Sequence, residues 1–194
     1  MNYMNKLIAT IIFITTTNIV LAQEQKPESF VSGVAQKIIT IVTSKSTNEA
    51  QKKLSIRSVI NQNFDVPWMS KFVLGRNYKA LSSADQQEYT KLYLNYLVGN
   101  YFPILIKYDN DKFYVKHANK VSKNSYDVDT IIERAGKQPV SIKYHIKEVD
   151  SSFKAVDMIV EGISTIISQR SEFDSIIQND GIHGFMNKMK EKYS

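Results

Sequence analysis

The apolar positions along this chain change period twice. From Phe30 they recur at Val34, Ile38 and Val42, with Val31, Ala35 and Ile39 beside them, which is the broad stripe of an amphipathic helix. Ser46-Thr47-Asn48 makes a turn and supplies a cap, and a second helix follows with Leu54, Ile56, Val59 and Ile60 directed inward. Phe64-Asp65-Val66-Pro67-Trp68 reads as a restart, because Asp65 is placed to cap and Pro67 suits a first helical turn. Trp68, Phe72 and Val73 then share a face until Gly75 ends the helix. A long helix opens at Leu81-Ser82-Ser83 and carries Tyr89, Leu92, Tyr93, Tyr96, Leu97, Tyr101, Ile104 and Leu105, with Pro103 expected to kink or restart it.

After Asp109-Asn110-Asp111 the period becomes two. Phe113 and Val115, then Tyr126, Val128, Thr130 and Ile132, then Val140, Ile142, Tyr144 and Ile146 alternate with polar residues, as in a half-buried antiparallel sheet. Ala135-Gly136-Lys137-Gln138 and Asp150-Ser151-Ser152 read as hairpin turns, and the fourth strand is Phe153 to Val160. That strand runs through Glu161 into Gly162, and Ile163, Ile166 and Ile167 then fall on one side of a helix. Two helices close the chain, Ile163 to Ile177 and Ile182 to Met189, separated by Gly181. Helices, a four-stranded antiparallel meander and closing helices make one α+β domain. There is no internal repeat, low-complexity tract or interior linker.

The first 22 residues stand apart. Lys6 precedes the uncharged run Leu7 to Val20, and Val20-Leu21-Ala22 offers tolerated residues at a cleavage site. This is the layout of a secretory signal peptide, and the run is shorter than the ~20 apolar residues of a membrane span. Residue 23 is Gln rather than Cys, which argues against a lipoprotein anchor. The expectation is export, with residues 23–194 forming a single domain. Losing Lys6 lowers the net charge of +6 by one. The charge is moderate and scattered, and no basic tract suggests nucleic acid. With no cysteine, disulfides, thiolate metal sites and a cysteine nucleophile are excluded.

Catalytic patterns fit poorly. Gly162-Ile163-Ser164 lacks the closing glycine of a nucleophile elbow, where Ile166 stands, and Ser164 is better explained as a helix cap. His117, His145 and His183 have no i, i+4 partner among them. Asp109 and Asp111 begin like a calcium loop without its glycine and closing glutamate. Asp127 and Asp129 share a strand face, and their neighbours suggest a solvated surface rather than a glycosidase pair. No phosphate loop is present among 7 glycines. Aromatic supply is the positive signal, with 11 Tyr and 9 Phe. Tyrosine suits either an ordinary core or the mouth of an apolar pocket, since its ring packs while its hydroxyl stays wet.

Phe64-Asp65-Val66-Pro67-Trp68-Met69, Leu74-Gly75-Arg76-Asn77-Tyr78, Leu81-Ser82, Gln86, Tyr89 and Leu97 to Tyr101 together resemble a long motif of the MlaC/toluene-tolerance family. Val156-Asp157-Met158-Ile159-Val160-Glu161-Gly162-Ile163-Ser164 resembles its "DvxvEGvS" signature. Gln169-Arg170-Ser171-Glu172-Phe173 and Gly181-Ile182-His183-Gly184-Phe185 resemble its tail. Trp68, Tyr78 and Tyr89 depart from the more usual residues. The resemblance covers nearly all of residues 23–194. It implies a periplasmic carrier of phospholipid between an outer-membrane lipoprotein complex and an inner-membrane ABC transporter complex with its membrane-anchored lipid-binding subunit, maintaining outer-membrane lipid asymmetry. It further implies a curved sheet and helices around an apolar cavity, with phospholipid as cargo and no other cofactor, metal or catalytic residue. The residues expected to line that cavity are Trp68, Phe72, Leu74, Tyr93, Leu97, Tyr101, Met158, Ile163 and Ile167. Two alternatives remain open at this point: carriage of another lipid such as a hopanoid precursor, and an exported hydrolase built on Ser164, Asp157 and His183.

Overall fold

The structure is a computed structural model that describes residues 26–150 and 152–193. The expected signal peptide lies outside the described residues. Helices α1 (Pro27–Thr43), α2 (Glu49–Asn63), α3 (Val66–Leu74), α4 (Arg76–Ala80) and α5 (Ser83–Leu105) precede strands β1 (Lys112–Ser122), β2 (Ser125–Glu133), β3 (Val140–Val149), β4 (Ser152–Val160) and β5 (Ile163–Ser164), and α6 (Thr165–Tyr193) closes the chain. The five strands form one antiparallel sheet in sequence order. The α+β reading holds, with one addition: the four-strand meander gains the two-residue β5.

Local chemistry accounts for most boundaries. Asn48 and Gln51 form a reciprocal capping box at the start of α2. Asp65 accepts the Trp68 amide at 3.1 Å and opens α3, and Ser82 accepts the Asp85 amide at 3.2 Å and opens α5. Gly75, at φ 56°, ends α3 in a conformation that excludes most side chains. The short α4 was not apparent from the pattern, because five residues give too little periodicity. Pro103 does not break α5: it lies two residues before the helix ends, where few backbone bonds remain to lose. The two closing helices are separate as the pattern expected, because Gly181, at φ 71° and ψ 168°, breaks the helical conformation inside α6, and Phe185 packs back on Phe173 at 4.7 Å. Leu54, expected inward, is 67 % exposed on the outer side of α2, while Ile56, Val59 and Ile60 are buried.

Two layers result. In the helical layer, Leu74, Tyr89, Tyr93, Leu97, Phe173 and Phe185 are buried, with edge-on and tilted ring pairs such as Tyr96–Phe173 at 5.0 Å and Phe173–Phe185 at 4.7 Å. The sheet presents its apolar face inward in registered rows. Val115, Thr130, Ile142 and Val160 form one row, and Ala118, Val128, Tyr144 and Met158 the next. Its other face carries Asp127, Asp129, Lys143 and His145. Irregularities in register in β1 and opposite His145–Ile146 mark bulges, which bend and twist strands. The chain entering α3 is fixed to β4 at the second of these: the Asp65 amide donates to the Ala155 carbonyl at 2.9 Å.

Candidate functional site

The strand–glycine–helix corner has a defined construction. Glu161 and Gly162, at φ 48° and 82°, turn β4 back on itself so that Val160 pairs with Ile163 and Ile159 with Ser164. Consecutive positive φ values are the mark of a two-residue hairpin turn, which calls for glycine. The Glu161 side chain accepts the Ser141 amide, and the Glu161 amide donates to the Ser141 carbonyl. Asp157, 7 % exposed, then fastens the start of α6. Its carboxylate accepts from Ser164 Oγ at 2.5 Å, Thr165 Oγ1 at 3.1 Å and the Ile166 amide at 3.2 Å. Ser164 Oγ accepts the Ile167 amide at 3.3 Å, so the expected capping role is present. His183 is exposed beyond the Gly181 bend, and no hydrogen bond joins it to Asp157 or Ser164. The three residues of the hydrolase reading are therefore not assembled; Asp157 and Ser164 build the corner.

Beside this corner the apolar sheet face is only partly covered. The rows at the Ala155 end are sealed: Ile146 and Ala155 are buried, and Phe30 and Tyr126 pack their rings on Phe153 at 5.9 and 5.6 Å. Toward the other end Ile132, Ile142, Tyr144, Met158 and Val160 are all half-buried. Across from them stand Val34, Ile38 and Ile41 of α1 and Tyr101 and Leu105 of α5, packed against the core and also only half-buried. In the same sheet rows Val128 and Thr130 are fully buried, so the half-buried apolar residues lie toward the margins of the packed face. Gln169 joins two tyrosines in a polar seam: Tyr93 Oη donates to Gln169 Oε1 at 2.6 Å, and Gln169 Nε2 donates to Tyr101 Oη at 3.5 Å.

The nine residues expected to line a cavity divide into four groups. Tyr101 and Met158 are half-buried and packed against the core. Leu74, Tyr93 and Leu97 are packed in the helical core. Trp68 and Phe72 stack on each other at 5.2 Å, with Lys147 Nζ 4.0 Å above the Trp68 ring and the Arg170 guanidinium 5.4 Å from the Phe72 ring. Ile163 and Ile167 are 66 % and 58 % exposed at the corner. Sequence reasoning left Phe113, Tyr144 and the α1 residues out of the lining. Their signal was available in the period-two alternation, which put both aromatic rings on the inward face; these rings meet edge-on at 6.5 Å.

Electrostatics around Tyr101 and Tyr144 is quiet. Burial pushes the Tyr144 phenol up to about 12, with Tyr101 adding to the push. Burial also raises Tyr101, partly offset by hydrogen bonds with Thr165 and Gln169. Both hydroxyls are neutral near pH 7 and are donors or acceptors rather than charges. On the outer face, Asp127 and Asp129 are engaged with cationic or ionisable neighbours: His145 Nδ1 lies 2.7 Å from Asp127, His117 Nε2 lies 3.2 Å from Asp129, and Lys143 lies 3.8 Å from each carboxylate. The surface reading of His145 is thus refined to a half-buried residue paired with Asp127. No group of three or more metal-ligating side chains occurs among the described residues, and none of their helices is long and apolar enough to cross a membrane.

The family model described as MlaC protein matches residues 32–191. An intermembrane phospholipid transport system binding protein MlaC from Haemophilus influenzae is 20% identical over 179 residues, covering 88% of this chain and 84% of that protein. A phospholipid-binding protein from Ralstonia solanacearum, solved in complex with a phospholipid, superposes with a TM-score of 0.77 at 16% identity, covering 87% of this chain and 97% of that one. The match of the family model across most of the length places this chain in the MlaC family.

Proposed function

We propose that this chain is a periplasmic phospholipid carrier, exported by its first 22 residues, which takes lipid acyl chains into a cleft between sheet and helices. The observation that carries the reading is the apolar sheet face from Ile132 to Met158, left half-buried opposite equally half-buried residues of α1 and α5. A surface so apolar and so incompletely covered gains by taking up hydrocarbon. A two-chain lipid carries on the order of 30 methylenes, and keeping them from water is worth about 24 kcal/mol at ~0.8 kcal/mol each. A carrier must offer a comparable surface or the lipid stays in its membrane. The headgroup remains in water, in keeping with a cleft whose polar groups are few and neutral.

The relatives' names support the same reading, one as a phospholipid transport binding protein and the other as a phospholipid-bound structure. On this proposal the carrier exchanges lipid with an outer-membrane lipoprotein complex and an inner-membrane ABC transporter complex, and serves outer-membrane lipid asymmetry. No catalytic step is required.

The test is native mass spectrometry of residues 23–194 purified from a bacterial periplasm without detergent, followed by lipid extraction. A discrete adduct of phospholipid mass is expected, lost on Met158→Asp while circular dichroism stays unchanged. Met158 is chosen because its neighbour in the expected lining, Leu97, is buried in the core and would unfold the chain when charged. A folded Met158→Asp variant retaining full lipid would refute the cleft assignment, and an adduct of polycyclic mass would replace phospholipid with that class of cargo.

A further inference from the structure

A concave feature lies away from the proposed cleft. Between α2, α5 and the last turn of α6 there is a hollow of about 460 Å³ lined by Ala50, Leu54, Val98, Gly99 and Tyr193, with Lys53, Arg57 and Lys192 around it. Its position depends on Gly99. A Cβ there would stand 2.5 Å from the Tyr193 ring, so the glycine is what lets the end of α6 lie against α5. Tyr193 is held in place by an edge-on contact with Tyr96 at 5.3 Å and a hydrogen bond from Asn100 Nδ2 at 3.3 Å. The fold therefore builds one wall of this hollow with its final described residue.

We propose that this hollow is a docking site for an acidic, amphipathic segment of a partner protein. Three observations lead there. Leu54 is 67 % exposed, and a lone exposed leucine needs no explanation, but this one forms the wall of a recess floored by Val98 and Tyr193. Each charged side chain lining the hollow is basic, and none of the three forms an ion pair among the described residues. Arg57 donates to Asn95 Oδ1, which fixes its guanidinium at the rim and leaves its other donors available for a carboxylate. An apolar centre ringed by one sign of charge is complementary to an apolar anchor flanked by carboxylates.

The shape favours a protein segment over a membrane surface. Binding to a bilayer plane places protruding apolar side chains below the headgroups. Here the apolar surface is recessed, and it receives a side chain from outside, as an apolar groove receives the anchor residues of an amphipathic helix. None of the lining residues belongs to the proposed lipid cleft, so docking at this site leaves a bound cargo untouched. The proposal goes beyond the carrier function and does not depend on the identity of the cargo.

The test replaces Leu54 with the photocrosslinker p-benzoylphenylalanine in the full chain, expressed in the cells that make it. Crosslinked peptides are identified by mass spectrometry. The expected product joins residue 54 to a segment of another protein carrying carboxylates beside an apolar side chain. The pair Lys53→Glu and Lys192→Glu should lower its yield at least about tenfold, with thermal stability and copurified lipid unchanged. Leu54→Ser, at an exposed position, serves in a binding assay with the identified segment and should weaken it without unfolding the chain. A crosslink to lipid, to a second copy of this chain or to a segment without carboxylates would overturn the proposal. So would a yield no higher than with the same probe at Val121, which is 50 % exposed on β1. Since lipid content is read separately, failure here is distinct from failure of the carrier reading.

Discussion

Replacing Asp157 by Ala tests the account of the strand–helix corner. The substitution removes the acceptor for Ser164 Oγ, Thr165 Oγ1 and the Ile166 amide. The two hydroxyls rotate and find other partners, but the amide cannot, and Ile166 is 5 % exposed. Loss of a helix cap costs about 1–2 kcal/mol, and a buried donor left unpaired costs about 1–3 kcal/mol. These descriptions overlap because the same amide is counted in both, so the expected destabilisation is about 1–3 kcal/mol. At this chain length a loss of 3 kcal/mol becomes a fall in Tm of about 6–12 °C. Asp157→Asn keeps one acceptor oxygen and should lose about 1 kcal/mol. The assay is urea unfolding of lipid-free protein, followed by the fluorescence of its single tryptophan, Trp68. Asp157→Ala within about 0.5 kcal/mol of the parent would refute the reasoning, because the corner would then stand without its carboxylate.

Three further outcomes follow from the same geometry. Tyr89→Phe removes a fully buried hydroxyl that has no hydrogen-bond partner among the described residues, and should be neutral or stabilise by up to about 2 kcal/mol in thermal melts; a clear loss would contradict the absence of a partner. Gly75→Ala should destabilise by about 1–3 kcal/mol, because φ is 56° and a Cβ would stand 2.8 Å from Arg170 Nη2; unchanged urea unfolding would refute the constraint. Tyr144, pushed up to about 12 by burial, binds its proton more tightly in the folded chain than in the unfolded one, so its contribution is complete below pH ~10 and is lost as pH rises toward 12, at ~1.4 kcal/mol per pH unit. Tyr89, Tyr93 and Tyr101 shift in the same direction, so absorbance at 295 nm should show a set of phenols that ionise only as the chain unfolds; all tyrosines titrating together near pH 10 in folded protein would refute it.

The sheet was legible in the sequence because its alternation is regular: Val140 to Ile146 and Tyr126 to Ile132 face inward as the pattern required. The cap at Asp65 was legible because a short polar side chain before an apolar run has few other roles, while Ser82 and Ser83 were two candidates of which the structure uses Ser82. Burial within the helices was less legible. Leu54 sits on α2 beside three buried residues, and only tertiary packing decides that Ile56 turns in and Leu54 out. The lining residues show the same limit. Tyr93 and Tyr101 share one stripe eight residues apart, but one is sealed under Gln169 and the other is half-buried. β5 was hidden because two residues carry no period, although the Glu161-Gly162 turn that produces it was in view.

The distribution of contacts bears on how such a carrier stays folded without cargo. Fixed interactions gather at one end of the sheet and at its β4 margin. Phe153 receives Phe30 and Tyr126 there, Asp65 donates to Ala155, and Asp157 holds α6. The helical layer has its own core in Leu74, Leu97 and Phe173, all buried. The apolar residues left half-buried are therefore those whose exposure costs the least structure, even though each costs hydrophobic free energy at ~25 cal/mol per Å² of surface left in water. A ligand covering them adds stability in proportion to its occupancy without rebuilding the core.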